Sequence, residues 1–469
     1  MLFNSVNFCL FFFLVFVLYW TINGRWRWLL LLAASYVFYS FWEPFFLLLI
    51  VFSTLVDYVT CRFLTSSPIK QDKKLGLGIS IVTNLSLLFS FKYFDFFHSI
   101  VDGTSLSVIE QATSIDSKML LPVGISFYTF QTLSYSIDVY RSKILPEKHL
   151  GKFALFVSFF PQLIAGPIER ANSLLPQLKA KNIRLNIEGF KEGLLLFTWG
   201  LFKKVVVADN IKILADHIFD NSQFQNGGGV LFGLFAFTIQ IYADFSGYSD
   251  MAVGTSKMLG INLKMNFRTP YFSQSITEFW RRWHITLSLW LKYYVFIPLG
   301  GSKMTYLLTL RNLFITFFLA GVWHGASWNF VLWGCLHGVL VVLERLFGWH
   351  KKRKNNVFSI FRVAFTFGIV TLTMLPVRAT DLTHLNELIS LLLTLNFHDT
   401  YIAFAENIFT PGAVGLLILF LTDFFFAKES IVEINKRKGV VKYLWFLIIL
   451  LLILFIGDST SEAFFYFQF

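Results

Sequence analysis

Long apolar runs recur along this chain from position 8 to position 456, and short loops between them carry most of its charge. Backbone polar groups along such runs find no water inside a bilayer, which leaves the α-helix or a closed barrel as spanning structures. Runs of this length and polarity are read as membrane helices. Only 14% of the 469 residues are charged, against about 25% in soluble domains. We therefore expect one integral-membrane domain over 1–469, richest in motifs over 121–345, rather than a soluble domain with an anchor. The net charge of +12 does not indicate nucleic acid, because the basic residues sit in short loops between apolar runs. Cys9, Cys61 and Cys335 form no Cys-x-x-Cys pair and predict neither disulfides nor a thiolate metal site. The run 8–19 lacks a basic n-region and a small-residue cleavage site, and reads as a first membrane helix.

Loop charge predicts the topology. Arg25 and Arg27 place the first loop in the cytoplasm and the N-terminus outside. A hairpin over 28–42 and 45–60, broken at Glu43-Pro44, returns to Arg62, Lys70, Lys73 and Lys74. Run 75–94 leads out to Asp95, Asp102, Glu110 and Asp116, and run 120–137 leads back to Arg141, Lys143 and Lys148. Runs 190–208, 229–245, 306–323, 328–343, 357–375, 412–426 and 443–456 continue inward and outward, with 388–395 on the outer surface. The inner loops include Arg345, Lys351–354 with Arg353, and Lys436, Arg437 and Lys438. The total is about twelve crossings with both termini outside. Two segments break the alternation. Run 153–167 is short for a span, has basic sequence on both sides and contains Pro161, Gly166 and Pro167, which reads as re-entrant. Segment 276–299 mixes tryptophans and tyrosines with Arg281, Arg282, His284 and Lys292, an interfacial or re-entrant composition.

Of nine histidines, His98, His149, His217, His350, His384 and His398 fall in predicted loops or helix ends and read as solvated. His284, His324 and His337 have apolar or aromatic neighbours. His324 lies in Gly-Val-Trp-His-Gly-Ala-Ser-Trp (321–328), where two apolar runs meet. Two readings stay open. It is either a buried imidazole bonded to a backbone carbonyl at a helix break, or a general base for a hydroxyl nucleophile. Imidazole titrates at about 6.5 unperturbed, and burial lowers that, so the neutral form can accept a proton. His284 is either a snorkelling residue on an interfacial helix or a polar group holding an acyl donor, with Arg281 and Arg282 attracting an anionic cofactor. His337 reads first as core packing. Asp244 and Asp250 read first as structural ion-pair partners of a nearby basic segment. Ser126 lacks a nucleophile elbow, and no P-loop, dinucleotide fingerprint or metal-spaced set is present.

Seven stretches together resemble the membrane-bound O-acyltransferases (MBOAT), most of all the membrane subunits of bacterial alginate O-acetylation. They are LPVGISFYTFQTLSYSIDVYR (121–141), FFPQLIAGPIERANSLLPQL (159–178), QIYADFSGYSDMAVG (240–254), SITEFWRRWHITLS (275–288), IPLGG (297–301), GVWHGASW (321–328) and YFQF (466–469). The resemblance implies an all-α polytopic fold, with re-entrant or interfacial helices around a central cavity. It implies a membrane-embedded catalytic histidine at His324, a second polar site at His284, and no metal. The donor would be acetyl-CoA or another acyl thioester from the cytoplasm. The acceptor would be an exported polysaccharide such as alginate, or an extracytoplasmic relay protein, at a bacterial inner membrane. D-alanyl transfer to teichoic acid and peptidoglycan O-acetylation are the same chemistry on other cargo. A transporter without a covalent step is the rival class, and such proteins often carry internal repeats, which are not seen here. The resemblance departs at Leu291-Lys292-Tyr293-Tyr294, where similar sequences read Leu-Arg-Asp-Tyr.

Overall fold

The runs become helices in the computed structural model, which describes residues 1–66, 69–102, 121–222, 225–351, 357–394, 396, 411–425, 440–458 and 464–465. Among the described residues, six helices are long and apolar enough to cross a membrane: Phe46–Thr65, Lys70–His98, Gly227–Met258, Tyr306–His324, Trp328–Leu346 and Phe358–Arg378. Shorter apolar helices cover Val6–Thr21, Leu382–Leu393, Gly412–Phe425 and Leu444–Ile456. The expectation of about twelve crossings counted these shorter helices as well, except Leu382–Leu393, whose run is placed on the outer surface. It also counted runs 120–137 and 190–208, which become 16-residue helices of about 24 Å. Of the sequence features used above, Glu110, Asp116, His398, residues 352–354, residues 436–438 and the terminal 466–469 lie outside the described residues.

Two compact units emerge, the first comprising Met1, Cys9–Leu185 and Leu259–Leu263. In it, α1 (Val6–Thr21, from Cys9 onward), α2 (Arg27–Ser40) and α3 (Phe46–Ser66) precede α4 (Lys70–Leu88), α5 (Ile125–Tyr140), α6 (Leu150–Ser158) and α7 (Ala171–Lys179). Its interior is not uniformly apolar. The buried Asp57 carboxylate on α3 accepts from Ser80 Oγ at 2.5 Å and from Asn84 Nδ2 at 2.9 and 3.0 Å, both on α4. Ser53 and Thr132 donate to Asn84 Oδ1, which ties α5 into the same network. Such a network specifies which faces of three helices meet, because each partner removed leaves a buried polar group unsatisfied.

The segment expected to be re-entrant is irregular and buried. Helix α6 ends at Ser158, a single turn covers Phe160–Leu163, and residues 153–169 are all buried. Its backbone groups are satisfied by protein. Gln131 Nε2 and Gln162 Nε2 both donate to Phe156 O, and Phe160 N donates to Ser35 Oγ at 3.1 Å. Non-helical backbone at membrane depth requires this kind of enclosure.

The second unit comprises Leu2–Phe8, Asn186–Met258 and Lys264–Phe469. Its helices are α8 (Ile187–Phe202), α9 (Asp209–Asp220), α10 (Gly227–Met258), α11 (Ile276–Arg282), α12 (Ile285–Leu291), α13 (Tyr306–His324), α14 (Trp328–Leu346), α15 (Val357–Thr373), α16 (Leu382–Leu393), α17 (Pro411–Phe425) and α18 (Val440–Ile456). Helices α8 and α10 pack backbone on backbone. A Cβ at Gly200 would stand 2.5 Å from Gly247 O, and one at Gly193 would stand 2.7 Å from Gly254 O. Small residues one heptad apart on both helices permit that approach.

A π-turn, Lys203–Ala208, follows α8 and turns two ammonium groups into the core. Lys203 Nζ pairs with Asp250 at 2.7 Å and with Ser246 Oγ at 2.9 Å. Lys204 Nζ pairs with Asp209 and Asp244, each at 2.8 Å. Asp244 also accepts from Phe465 N, and Asp423 on α17 accepts from Tyr242 OH at 2.6 Å. Asp244 and Asp250 are therefore ion-paired as expected, but their partners are Lys204 and Lys203, 40 and 47 residues away, and not a nearby basic segment. Two lysines face this many acids because a buried charge is tolerated only when paired.

Candidate active site

Segment 276–299 forms no span. Instead, α11 and α12, of seven residues each, flank His284. Three devices hold this piece. Ser275 caps α11 by accepting from Glu278 N at 3.0 Å, while Glu278 accepts from Gln274 N and pairs with Arg282 at 2.7 Å. Glu344 on α14 accepts from the first two amides of α11, Ile276 N at 2.5 Å and Thr277 N at 2.8 Å. Residues 266–268 run along the far side, where Arg268 N donates to Arg282 O, Ile285 N to Asn266 O, and Thr286 Oγ1 to Asn266 Oδ1.

His284 is fully buried between these clamps, with φ at 42°. A non-glycine residue in the left-handed region stores strain, and such strain collects at functional sites. Burial lowers its imidazole from the ordinary value to about 3, so the ring is neutral at physiological pH. Neutral imidazole can offer a hydrogen-bond donor at one nitrogen and an acceptor at the other, but not a cation.

His324 is the last residue of α13, and α14 begins only four residues later at Trp328. The two helices form a hairpin whose closeness depends on glycine. A Cβ at Gly321 would meet Phe330 O at 2.5 Å and Gly334 Cα at 2.6 Å. Gly321→Val is therefore expected to force the helices apart, lowering both activity and detergent-phase thermal stability, with a cost of about 1–3 kcal/mol. Gly368→Ala on α15, where an added Cβ meets nothing within 4 Å, serves as control and should leave both unchanged. Thermal unfolding followed by size exclusion checks the pair.

The rings of the two elements converge. His284 stands against Phe245 at 4.8 Å and against Trp323 at 6.1 Å between ring centroids. Trp323 contacts His324 at 5.0 Å, and His324 contacts Trp333 at 4.9 Å. Trp333 contacts His337 at 4.7 Å, and Trp280 Nε1 donates to His337 Nδ1 at 3.2 Å. One indole, Trp323, lies against both the His284 and the His324 ring. His337, read first as packing, belongs to the same cluster. A sequence signal for it exists: Trp280 and Trp333 are buried indoles whose N–H groups need acceptors.

The remaining sequence candidates divide. Arg282 is occupied by Glu278 and Thr269, whereas Arg281 is exposed. Lys292 is exposed with its ammonium 5.8 Å from the Tyr293 ring centre. The Gly300-Gly301 turn, with φ values of 107° and 58°, is held to α13 by Asn312 Nδ2, which donates to Leu299 O and Gly301 O.

A sequence model of the membrane-bound O-acyltransferase family matches residues 31–375, which includes the whole ring cluster. The chain belongs to the membrane-bound O-acyltransferase family. It is thus a multi-pass membrane acyltransferase. This acyltransferase is 41% identical to the probable alginate O-acetylase AlgI of Pseudomonas putida, over 81% of its own length and 78% of the relative's. It is 38% identical to the peptidoglycan O-acetyltransferase of Helicobacter pylori, over 75% and 71% of the two chains. Identity falls to 28% with the teichoic acid D-alanyltransferase of Bacillus subtilis, over 53% and 66%.

Proposed function

We propose that this acyltransferase moves an acetyl group from a cytoplasmic thioester, acetyl-CoA, to hydroxyls of an exported polysaccharide such as alginate. The observation that carries the reading is the ring cluster, in which Trp323 touches both His284 and His324. His324 takes the proton of the attacking hydroxyl, on the sugar itself or on the serine of a relay protein. His284, neutral and clamped, holds the thioester. Arg281, the exposed member of its pair, attracts the anionic part of the donor. Tryptophans on both sides of His324 exclude water that would otherwise compete as acceptor.

Acetyl rather than D-alanyl cargo is supported by the higher identity to the O-acetylating relatives. The alternation of loop charge supports an inner-membrane orientation with both termini outside. Peptidoglycan is the second acceptor to consider, since a relative of comparable identity carries that name. Mass spectrometry of surface polymers from a deletion strain tests the assignment. Loss of ester-linked acetyl from an exopolysaccharide is expected. Loss confined to peptidoglycan or of D-alanine from teichoic acid would replace the acceptor, and unchanged polymers would overturn the reading.

A further inference from the structure

Helix α14 carries Asn329, Trp333 and His337 at four-residue intervals, which places them on one face. All three are buried, at 3%, 4% and 0% exposure. Each keeps one polar atom with no hydrogen-bond partner among the described residues: Asn329 Oδ1, Trp333 Nε1 and His337 Nε2. The second atom of the two amphoteric side chains is used, because Asn329 Nδ2 donates to Ala379 O and His337 Nδ1 accepts from Trp280. That acceptance settles the tautomer. A neutral His337 that accepts at Nδ1 carries its proton on Nε2. Trp333 and His337 thus present two N–H donors one helical turn apart, their rings 4.7 Å from each other, with Trp333 against His324.

Buried donors left without acceptors are costly and uncommon. An indole N–H and an imidazole N–H that both lack acceptors beside a histidine are suited to a ligand oxygen. We propose that Trp333 Nε1–H and His337 Nε2–H are the donor pair that receives the acyl oxygen of the thioester. This rests on the acyl transfer proposed above. As the acceptor hydroxyl oxygen bonds to the acyl carbon, His324 takes the hydroxyl proton and the carbonyl π-electrons move onto oxygen. The two N–H groups stabilise that oxyanion. On collapse the C–O double bond re-forms, the C–S bond breaks, and the departing thiolate takes the proton back from His324. Ester and free thiol result, with the imidazole returned to neutral. Preorganised donors of this kind act on the transition state more than on the bound donor.

The test uses the full-length protein in membranes, with labelled acetyl-CoA and the acceptor identified by mass spectrometry. Trp333→Phe keeps an aromatic side chain and deletes the N–H together with part of the indole ring. We expect kcat to fall about 100-fold with little change in the donor KM. We also expect at most a modest loss of thermal stability, from the smaller ring and not from the N–H, which has no acceptor to lose. His337→Phe should match it in rate but lose stability, because Trp280 Nε1–H then lacks its acceptor, while His337→Gln, which keeps a donor, should recover part of the rate. If Trp333→Phe does not fold, the two His337 variants, normalised to folded protein, decide. Rates within twofold of wild type in both Trp333→Phe and His337→Phe would overturn the donor pair. If His324→Ala is dead while those two stay active, only the donor pair fails and the proposed function stands. If wild-type membranes transfer no acyl group from any thioester, the proposed function fails and this assignment falls with it.

Discussion

Replacing His324 with alanine is expected to lower acyl transfer about 1,000-fold, the middle of the range for loss of a general base. Folded protein in the membrane should stay at the wild-type level. The two expectations come from different parts of the hairpin. The helices are held together by the Gly321–Gly334 contact, in which the imidazole takes no part. His324 ends α13 and is only partly buried, so trimming it leaves little cavity. What is lost, on the proposed mechanism, is the ring nitrogen that accepts the hydroxyl proton. Labelled acetyl incorporation, set against the amount of monodisperse protein after solubilisation, separates catalysis from folding. A rate within tenfold of wild type would remove His324 from the role of base.

The second large effect lies at the π-turn after α8. Lys204→Met should leave Asp209 and Asp244 buried without their shared cation, and breaking a buried pair in this way costs about 3–5 kcal/mol. Little folded protein is expected to accumulate. The compensated variant, Lys204→Met with Asp209→Asn and Asp244→Asn, should recover most of it. Replacing the whole set removes the charges together, and an asparagine at 244 can still accept from Phe465 N. Fluorescence-detected size exclusion across a temperature series measures both. Wild-type stability in the single variant would show that the acids are neutral or reach water.

Much of the architecture was legible because bilayer chemistry is coarse. Apolar length and loop charge located the helices, and Pro161, Gly166 and Pro167 marked the irregular segment that is in fact enclosed by Gln131, Gln162 and Ser35. His284 and His324 stood out as ionisable groups in apolar surroundings. Their shared neighbour did not, because loop charge orders segments along the membrane normal and says nothing of how the 276–299 segment and the α13–α14 hairpin approach each other. Trp323 closes that gap only in three dimensions. His337 was undervalued for the same reason, its partner Trp280 lying 57 residues away. The pairing of Lys203 with Asp250 spans 47 residues, and the capping of Thr277 by Glu344 spans 67. Periodicity and spacing register neighbours within a helix, whereas these contacts depend on which helices the glycines bring together.

The covalent step itself is the most direct test of the account. Wild-type protein in vesicles would be given thioester labelled in the acyl group on the cytoplasmic face and polysaccharide acceptor on the other. The account predicts label in the macromolecular fraction, ester-linked and released by mild alkali, and its absence with His324→Ala. Label or acceptor crossing the bilayer with no covalent product would contradict it and favour a transporter.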